Sequence, residues 1–291
     1  MLNTFLGNIK RAFYILWQNP IFLFKRIFFE LRARILPSPK QGILKVNGVS
    51  FDFDFNFSHK IRKMYFVTYQ PIIAEILKKY LKPGDTFIDA GANIGYFSFV
   101  AAGLVGKTGQ VHSFEPVPEY FLKLNNFAKI NQQYKIKTNR LALGDEEKTA
   151  EIFIKGGSDI GNNTFFPELL GDEGERSIRV PVVRLDDYIK KNNLSDIKLI
   201  KIDVEGFEFP VLMGLSGYFE GCYKNNSCPA IACEVVPVIY HKLGYKVKDL
   251  FDYMSRFYYY PYEVLNTKKR LNISDIENKV FADVLFKQSL R

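Results

Sequence analysis

Acidic side chains recur just after short apolar runs in this sequence. Asp89 closes the run that begins at Thr86, Phe87 and Ile88, and it precedes the turn Gly91-Ala92-Asn93-Ile94-Gly95. Glu115 closes Gln110-Val111-His112-Ser113-Phe114 and is followed by Pro116. Asp203 and Glu205 close Ile197-Lys198-Leu199-Ile200-Lys201-Ile202, and Gly206 follows. Glu234 ends Ala230-Ile231-Ala232-Cys233, with His241 a few positions on. Carboxylates placed this way can accept hydrogen bonds from hydroxyls, balance a cation, or take up a proton from a reacting group. Histidine is the side chain that changes charge nearest neutral pH.

The glycine turn narrows the ligand. A dinucleotide site asks for Gly-x-Gly-x-x-Gly, with the pyrophosphate against a helix N-terminus. Here Asn93 stands where the middle glycine belongs, and Asp89 would repel a pyrophosphate. A cationic ligand suits the loop better, and S-adenosylmethionine carries an ammonium and a sulfonium. Glu115 lies about twenty residues past Gly95, the spacing at which an acid after a second strand meets ribose hydroxyls. The bland alternatives are a strand-to-helix turn with no ligand and a solvated glutamate before a proline.

The elements that position these residues are legible. Pro83-Gly84-Asp85 announces the strand ending at Asp89, and Phe97, Phe99, Val100 and Ala101 continue as an apolar helix. Helices are expected over residues 70–81 and 118–131, and a third strand over Ile136–Leu143. Two further strands, Ala150–Lys155 and Ser177–Val183, flank a polar loop at 156–174. That loop is long for a compact domain, as lids and binding loops tend to be. It is the candidate for acceptor recognition. Leu185-Asp186-Asp187-Tyr188 opens a short helix, a strand ends at Asp203, and a helix from Glu208 runs to about Gly217. Strands at Ala230–Glu234, Tyr258–Val264 and Val280–Phe286 complete the series. Strands alternating with helices define an α/β domain with a largely parallel sheet.

Five segments in this order, Asp89-Ala90-Gly91-Ala92-Asn93-Ile94-Gly95, Phe114-Glu115-Pro116, Ala142-Leu143-Gly144-Asp145, Leu185-Asp186-Asp187-Tyr188 and Ile202-Asp203-Val204-Glu205-Gly206, resemble the FkbM family of methyltransferases. The resemblance covers roughly residues 65–287. It implies the seven-stranded class I (Rossmann-like) methyltransferase fold, S-adenosylmethionine as cofactor, and a bias toward O-methylation of hydroxyls on sugars or natural products. It also implies that Asp89, Gly91, Asn93, Gly95 and Glu115 bind the cofactor. Asp145 would lie near the adenine, where it either accepts from the amino group or serves as a plain turn residue. The family usually has Tyr-Glu-Pro where this chain has Tyr69-Gln70-Pro71, so a charged role at Gln70 is in doubt. A hydroxyl acceptor gains from a general base, for which Asp203, Glu205, Glu234 and His241 are the candidates. No spacing diagnostic of a metal site accompanies these acids. Rival readings are an RNA 2′-O-methyltransferase using Lys201, Asp203 and a Glu, a degenerate membrane-associated scaffold, and an NAD oxidoreductase.

The chain has 291 residues, 47% of them hydrophobic, and a net charge of +9 from 40 basic and 31 acidic residues. That length suits one α/β domain with an N-terminal extension. The charge is compatible with several polyanions as neighbours and selects none; with no RNA-binding module in view, nucleic acid is not the expected partner. A small-molecule or glycan acceptor is. Residues 1–40 carry Phe13-Tyr14-Ile15-Leu16-Trp17 and Ile21-Phe22-Leu23-Phe24, broken by Gln18-Asn19-Pro20 and flanked by Lys and Arg. No run is long enough to span a bilayer, so these residues suit helices lying in a membrane interface or packing on the domain or a second subunit. Residues 41–64 should contain a hairpin turning at Asn47-Gly48, and 65–291 the methyltransferase domain. The cysteines, Cys222, Cys228 and Cys233, are odd in number and lack Cys-x-x-Cys spacing. They are expected to be reduced, in a cytoplasmic protein.

Overall fold

The computed structural model describes residues 41–46, 49–54, 71–154, 165, 176–225 and 227–288. The apolar segment 1–40, the Asn47-Gly48 turn and all of the loop 156–174 except Phe165 lie outside the described residues. The chain divides into two units, 1–44 with 52–69 and 45–51 with 70–291. Among the described residues, no helix is long and apolar enough to cross a membrane.

Strands β1 (Gln41–Val46) and β2 (Val49–Asp54) form a two-stranded sheet. Within the large unit, Asn131 clasps the backbone of Ser50: its Oδ1 accepts from the Ser50 N–H at 2.9 Å, and its Nδ2 donates to the Ser50 carbonyl. Helix α1 (Pro71–Tyr80) starts on a proline, as the first helical turn tolerates, and ends with Lys78 and Lys79. Then follow β3 (Thr86–Ala90), α2 (Tyr96–Val105), β4 (Gln110–Phe114), α3 (Pro118–Ile130), β5 (Lys135–Asn139), β6 (Ala142–Gly144), β7 (Lys148–Ile154) and β8 (Arg176–Arg184). The second half comprises α4 (Leu185–Lys191), β9 (Ile197–Ile202), α5 (Glu208–Met213), α6 (Ser216–Lys224), β10 (Ala230–Val235), α7 (Pro237–Lys242), α8 (Val247–Ser255), β11 (Tyr259–Glu263) and β12 (Ala282–Gln288).

The large sheet has the order β11-β12-β10-β9-β3-β4-β5. Strands β5, β4, β3, β9 and β10 run parallel, and β12 is antiparallel to both β10 and β11. Strand β3 is buried along its whole length, as a central strand covered on both faces must be. Phe87, Ile88, Ile200, Ile231, Val284 and Phe286 are fully buried along the middle of the sheet.

Two expectations give way. The third strand is not continuous to Leu143. It stops at Asn139, and Ala142–Gly144 joins a separate three-stranded sheet ordered β6-β8-β7. At the break, Asn139 is drawn toward β4: its Nδ2 donates to the Ser113 carbonyl at 3.1 Å, and its carbonyl accepts from the Glu115 N–H. The cysteines are not all reduced either. Cys222 and Cys228 form a disulfide, and Cys233 is a buried free thiol in β10. The odd count hid one pair plus one core residue. Cys222 lies in the last turn of α6 and Cys228 just before β10. With that pair formed, the cysteines no longer argue for a cytoplasmic protein.

Candidate active site

The loop after β3 is set by its own backbone and by neighbours within the protein. Gly91 (φ 75°), Asn93 (φ 54°) and Gly95 (φ 95°) all adopt left-handed conformations, which glycine and asparagine tolerate best. A Cβ on Gly91 would stand 1.9 Å from the Asp203 carbonyl oxygen, so the β3 loop and the end of β9 touch backbone to backbone. A Cβ on Gly95 would run into Phe99 and Leu124.

Every N–H of this loop is used internally. Gly91 and Ala92 donate to the Phe114 carbonyl, Asn93 to Glu115 Oε2, Ile94 to Asn93 Oδ1, and Gly95 to the Ala92 carbonyl. Such a loop offers no cradle of N–H groups to a pyrophosphate, and it fits a nucleoside without one. Glu115 is buried at the end of β4, and its Oε1 accepts from the Val117 N–H at 2.9 Å. Each carboxylate oxygen thus has one backbone donor and keeps capacity to accept a ribose hydroxyl. Burial pushes the Glu115 carboxyl up to about 7, against the pull of those N–H donors and of Lys201.

Asp89 lies beneath the loop and is fully buried. Its Oδ2 accepts from Ser98 Oγ at 2.7 Å, and its Oδ1 receives Lys201 Nζ at 3.1 Å. Lys201, only 3% exposed, also reaches the Gly91 carbonyl at 3.2 Å and Asp203 Oδ2 at 3.5 Å. The charge of Asp89 is therefore balanced from inside the protein. One lysine on β9 ties the cofactor loop to the acids on the neighbouring turn.

On that turn, Glu205 is a non-glycine residue in the left-handed region (φ 54°), followed by Gly206 (φ 103°). Glu208, the first residue of α5, folds back beneath it, and its Oε1 accepts from the Gly206 N–H at 2.7 Å and the Val204 N–H at 3.3 Å. Glu208 Oε2 accepts from the Tyr240 hydroxyl at 3.4 Å. Burial raises the Glu208 carboxyl to about 7, with Asp203 adding to the shift. On β10, the strand beside β9, Glu234 stands opposite Asp283 in register on the antiparallel pair β10 and β12. Burial first, then the negative charges of Asp203, Glu205, Asp283 and Glu208, push Glu234 up to about 10.

The remaining predicted residues stand elsewhere. His241 is exposed on the last turn of α7. Asp145 follows β6 in the three-stranded sheet; its carboxylate lies 3.9 Å from Lys148 Nζ, and its carbonyl accepts from Arg184. His112 is buried in β4 against the Tyr188 hydroxyl (2.9 Å), and burial with Lys137 lowers it to about 4, so it is neutral at pH 7. Phe165, the described residue of the long loop, packs on Phe207 with ring centroids 4.5 Å apart, beside the turn that carries Glu205. Among the described residues, no group of three or more His, Cys, Asp or Glu is placed to hold a metal ion.

Sequence reading placed Lys201 at the site only under the RNA 2′-O-methyltransferase alternative, and it missed Ser98, Glu208 and Tyr240. Lys201 and Ser98 are polar residues on a buried strand and an apolar helix, which is itself a signal, since buried polar groups need partners. Glu208 left a local trace as an acid just beyond a glycine turn. Tyr240 left none.

Numbering only the strands of the large sheet, the order is 6-7-5-4-1-2-3 with the seventh reversed, and the glycine loop and second-strand acid stand at its carboxyl edge. That arrangement defines a class I methyltransferase. The pattern of the Methyltransferase FkbM domain matches residues 89–259, and the chain belongs to the FkbM methyltransferase family, whose cofactor is S-adenosylmethionine. Among its relatives is the 31-O-demethyl-FK506 methyltransferase FkbM of Streptomyces tacrolimicus, 31% identical over 161 residues, which are 46% of this chain and 61% of that protein. Methyltransferase 1 of Beauveria bassiana (strain ARSEF 2860) is 28% identical over 160 residues, 46% of this chain and 59% of that protein. The chain thus matches about three fifths of the length of these curated relatives. Among solved structures, the methyltransferase FkbM of Methylobacillus flagellatus KT superposes with a TM-score of 0.40 at 15% identity, covering 93% of this chain and 59% of that one.

Proposed function

We propose that this chain is an O-methyltransferase acting on a hydroxyl of a sugar, glycan or glycoconjugate precursor. The observation that carries this reading is the set of carboxylates beside the cofactor loop: Asp203 and Glu205 after β9, and Glu234 facing Asp283 across β10 and β12. Carboxylates accept hydrogen bonds from the several hydroxyls of a sugar, and one of them can take the proton that the acceptor hydroxyl gives up. S-adenosylmethionine supplies a methyl group on a sulfonium, which departs as a neutral thioether and needs no acid. The chain has then to hold the nucleoside through Glu115 and the Gly91–Gly95 loop, align the acceptor oxygen, and accept its proton. Alignment alone supplies several kcal/mol. Glu205, displayed on a left-handed turn, is the favoured proton acceptor, and Asp203, engaged by Lys201, orients the acceptor.

Asp203 and Glu205 disfavour a phosphate-bearing acceptor such as RNA, because like charges repel in a partly desolvated cleft. Lys201, on which the RNA reading depends, is buried and engaged by Asp89 and Asp203.

The test is thermal unfolding with S-adenosylhomocysteine, with NAD as control. At a hundred times its dissociation constant a ligand adds about 2.7 kcal/mol, a shift of roughly 5–10 °C for a domain of this size. The shift should appear with S-adenosylhomocysteine alone and vanish in Glu115→Ala. Asp203→Asn and Glu205→Gln should keep it while losing methyl transfer to hydroxylated acceptors. A shift with NAD, or none with either ligand, would overturn the reading.

A further inference from the structure

We propose that Glu208, clasped by Tyr240, is the positioning residue that fixes Glu205 for the acceptor. The inference rests on the reading of Glu205 given above and adds a residue that touches neither cofactor nor acceptor.

Left-handed backbone at a non-glycine residue costs energy and persists only where the surroundings impose it. Glu205 is such a residue, at φ 54°. One carboxylate oxygen, Glu208 Oε1, receives the N–H groups on both sides of it, from Val204 and from Gly206. The other oxygen is held by the Tyr240 hydroxyl from α7, so the carboxylate cannot rotate freely. Ile239, beside Tyr240, fills the space behind Gly206, where a Cβ would stand 2.3 Å from Ile239 Cδ1. The turn is therefore gripped from below by a carboxylate and from behind by an aliphatic side chain.

The choice of residue is informative. Glu208 is fully buried, and its hydrogen-bond partners Val204, Gly206 and Tyr240 are all uncharged. A buried carboxyl without a cation is a stability liability that an apolar residue would avoid. What an apolar residue cannot do is accept two N–H groups flanking a strained position. The loops of the cofactor side are held separately, by Glu115 through the N–H groups of Asn93 and Val117. Two buried glutamates thus serve two halves of the site, and removing one should leave the other intact.

The experiment uses the full chain with Glu208→Ala, Glu208→Gln and Tyr240→Phe. Three quantities are read: amide hydrogen exchange at Val204 and Gly206 against Asn93 and Val117, S-adenosylhomocysteine affinity, and methyl transfer from S-adenosylmethionine to a panel of methyl hexosides. Glu208→Ala should speed exchange at Val204 and Gly206 by tenfold or more, leave Asn93, Val117 and ligand affinity within threefold, and lower kcat tenfold or more at unchanged KM for S-adenosylmethionine. Glu208→Gln keeps an accepting oxygen and should restore all three to within threefold. Unchanged exchange at Val204 and Gly206, failure of the glutamine to rescue, or a parallel fall in ligand affinity would overturn the proposal. Should the alanine variant not fold, Tyr240→Phe decides: faster exchange confined to the Val204 and Gly206 amides supports the clamp, and unchanged exchange overturns it. Wild-type protein that binds no S-adenosylhomocysteine would sink the methyltransferase reading, while the exchange measurement still reports on the clamp.

Discussion

Glu115 and Glu208 are buried glutamates whose carboxyls stand near 7 instead of 4.5. In the unfolded chain each loses its proton near 4.5, whereas the fold retains it to about 7. Across that interval the folded state binds more protons, so their contribution is full below about 4.5 and is lost as the pH climbs to about 7. Glu234, held up to about 10, continues the decline into the alkaline range. His112, lowered to about 4, works the other way and favours the fold as the pH rises from about 4 to 6.5. Because Glu208→Gln removes a charge that burial opposes, its melting temperature should gain on the wild type from pH 5 to about pH 7 and level off above it. A difference that stays flat over that range would mean the carboxyl is not titrating in the fold. The acids were legible at this scale because Asp89, Glu115 and Asp203 each follow an apolar run. Their partners were not: Lys201 and Asp89 lie on different strands, and Tyr240 reaches Glu208 from another helix. A sequence shows which groups are charged, but the distances that decide whether each one is already engaged arise only when distant segments meet.

Among the elements, the β3 loop and the end of β9 meet backbone to backbone. Gly91 carries both a left-handed φ of 75° and a Cβ direction blocked at 1.9 Å by the Asp203 carbonyl. Gly106 has a comparable φ of 67° but open space around it. Gly91→Ala should therefore cost about 3 kcal/mol or more, strain and overpacking together, and should abolish S-adenosylhomocysteine binding. Gly106, with ψ −167°, occupies backbone that glycine alone enters readily, so Gly106→Ala should cost roughly 1–3 kcal/mol and leave binding intact. Loss of S-adenosylhomocysteine binding in both variants would show that backbone strain alone matters. Strands and helices were legible from apolar runs and proline–glycine punctuation, and most observed boundaries fall within a few residues of those expected. The third strand was not, because Ile136 to Leu143 is locally continuous. Its division is decided by Asn139 bonding to β4 and by β6 finding β8, about forty residues further along the chain.

For the whole molecule, alternating strands and helices made a largely parallel α/β sheet legible, while its seven-stranded order came only through the family resemblance. The disulfide was not, because the spacing of Cys222 and Cys228 has no framework pattern. It closes a loop between residues 6 apart in sequence, which in the chain-entropy account is worth about 2 kcal/mol. Adding a reductant should lower the melting temperature of the wild type by roughly 4–8 °C and leave the Cys222→Ser/Cys228→Ser double variant unmoved. Equal melting of the wild type with and without reductant would show that the link contributes nothing to the fold.

The small three-stranded sheet has a bearing on how such a protein can change. Strands β7 and β8 pair from Lys148 opposite Val182 to Ile154 opposite Arg176, while the large sheet forms no ladder with either. The β7–β8 ladder closes on β6 and not on the large sheet, so the spacing of the strands that carry the cofactor residues is set without it. It is a bracket fixed beside a chassis, and substitutions in its exposed rungs should leave the frame of the large sheet where it stands.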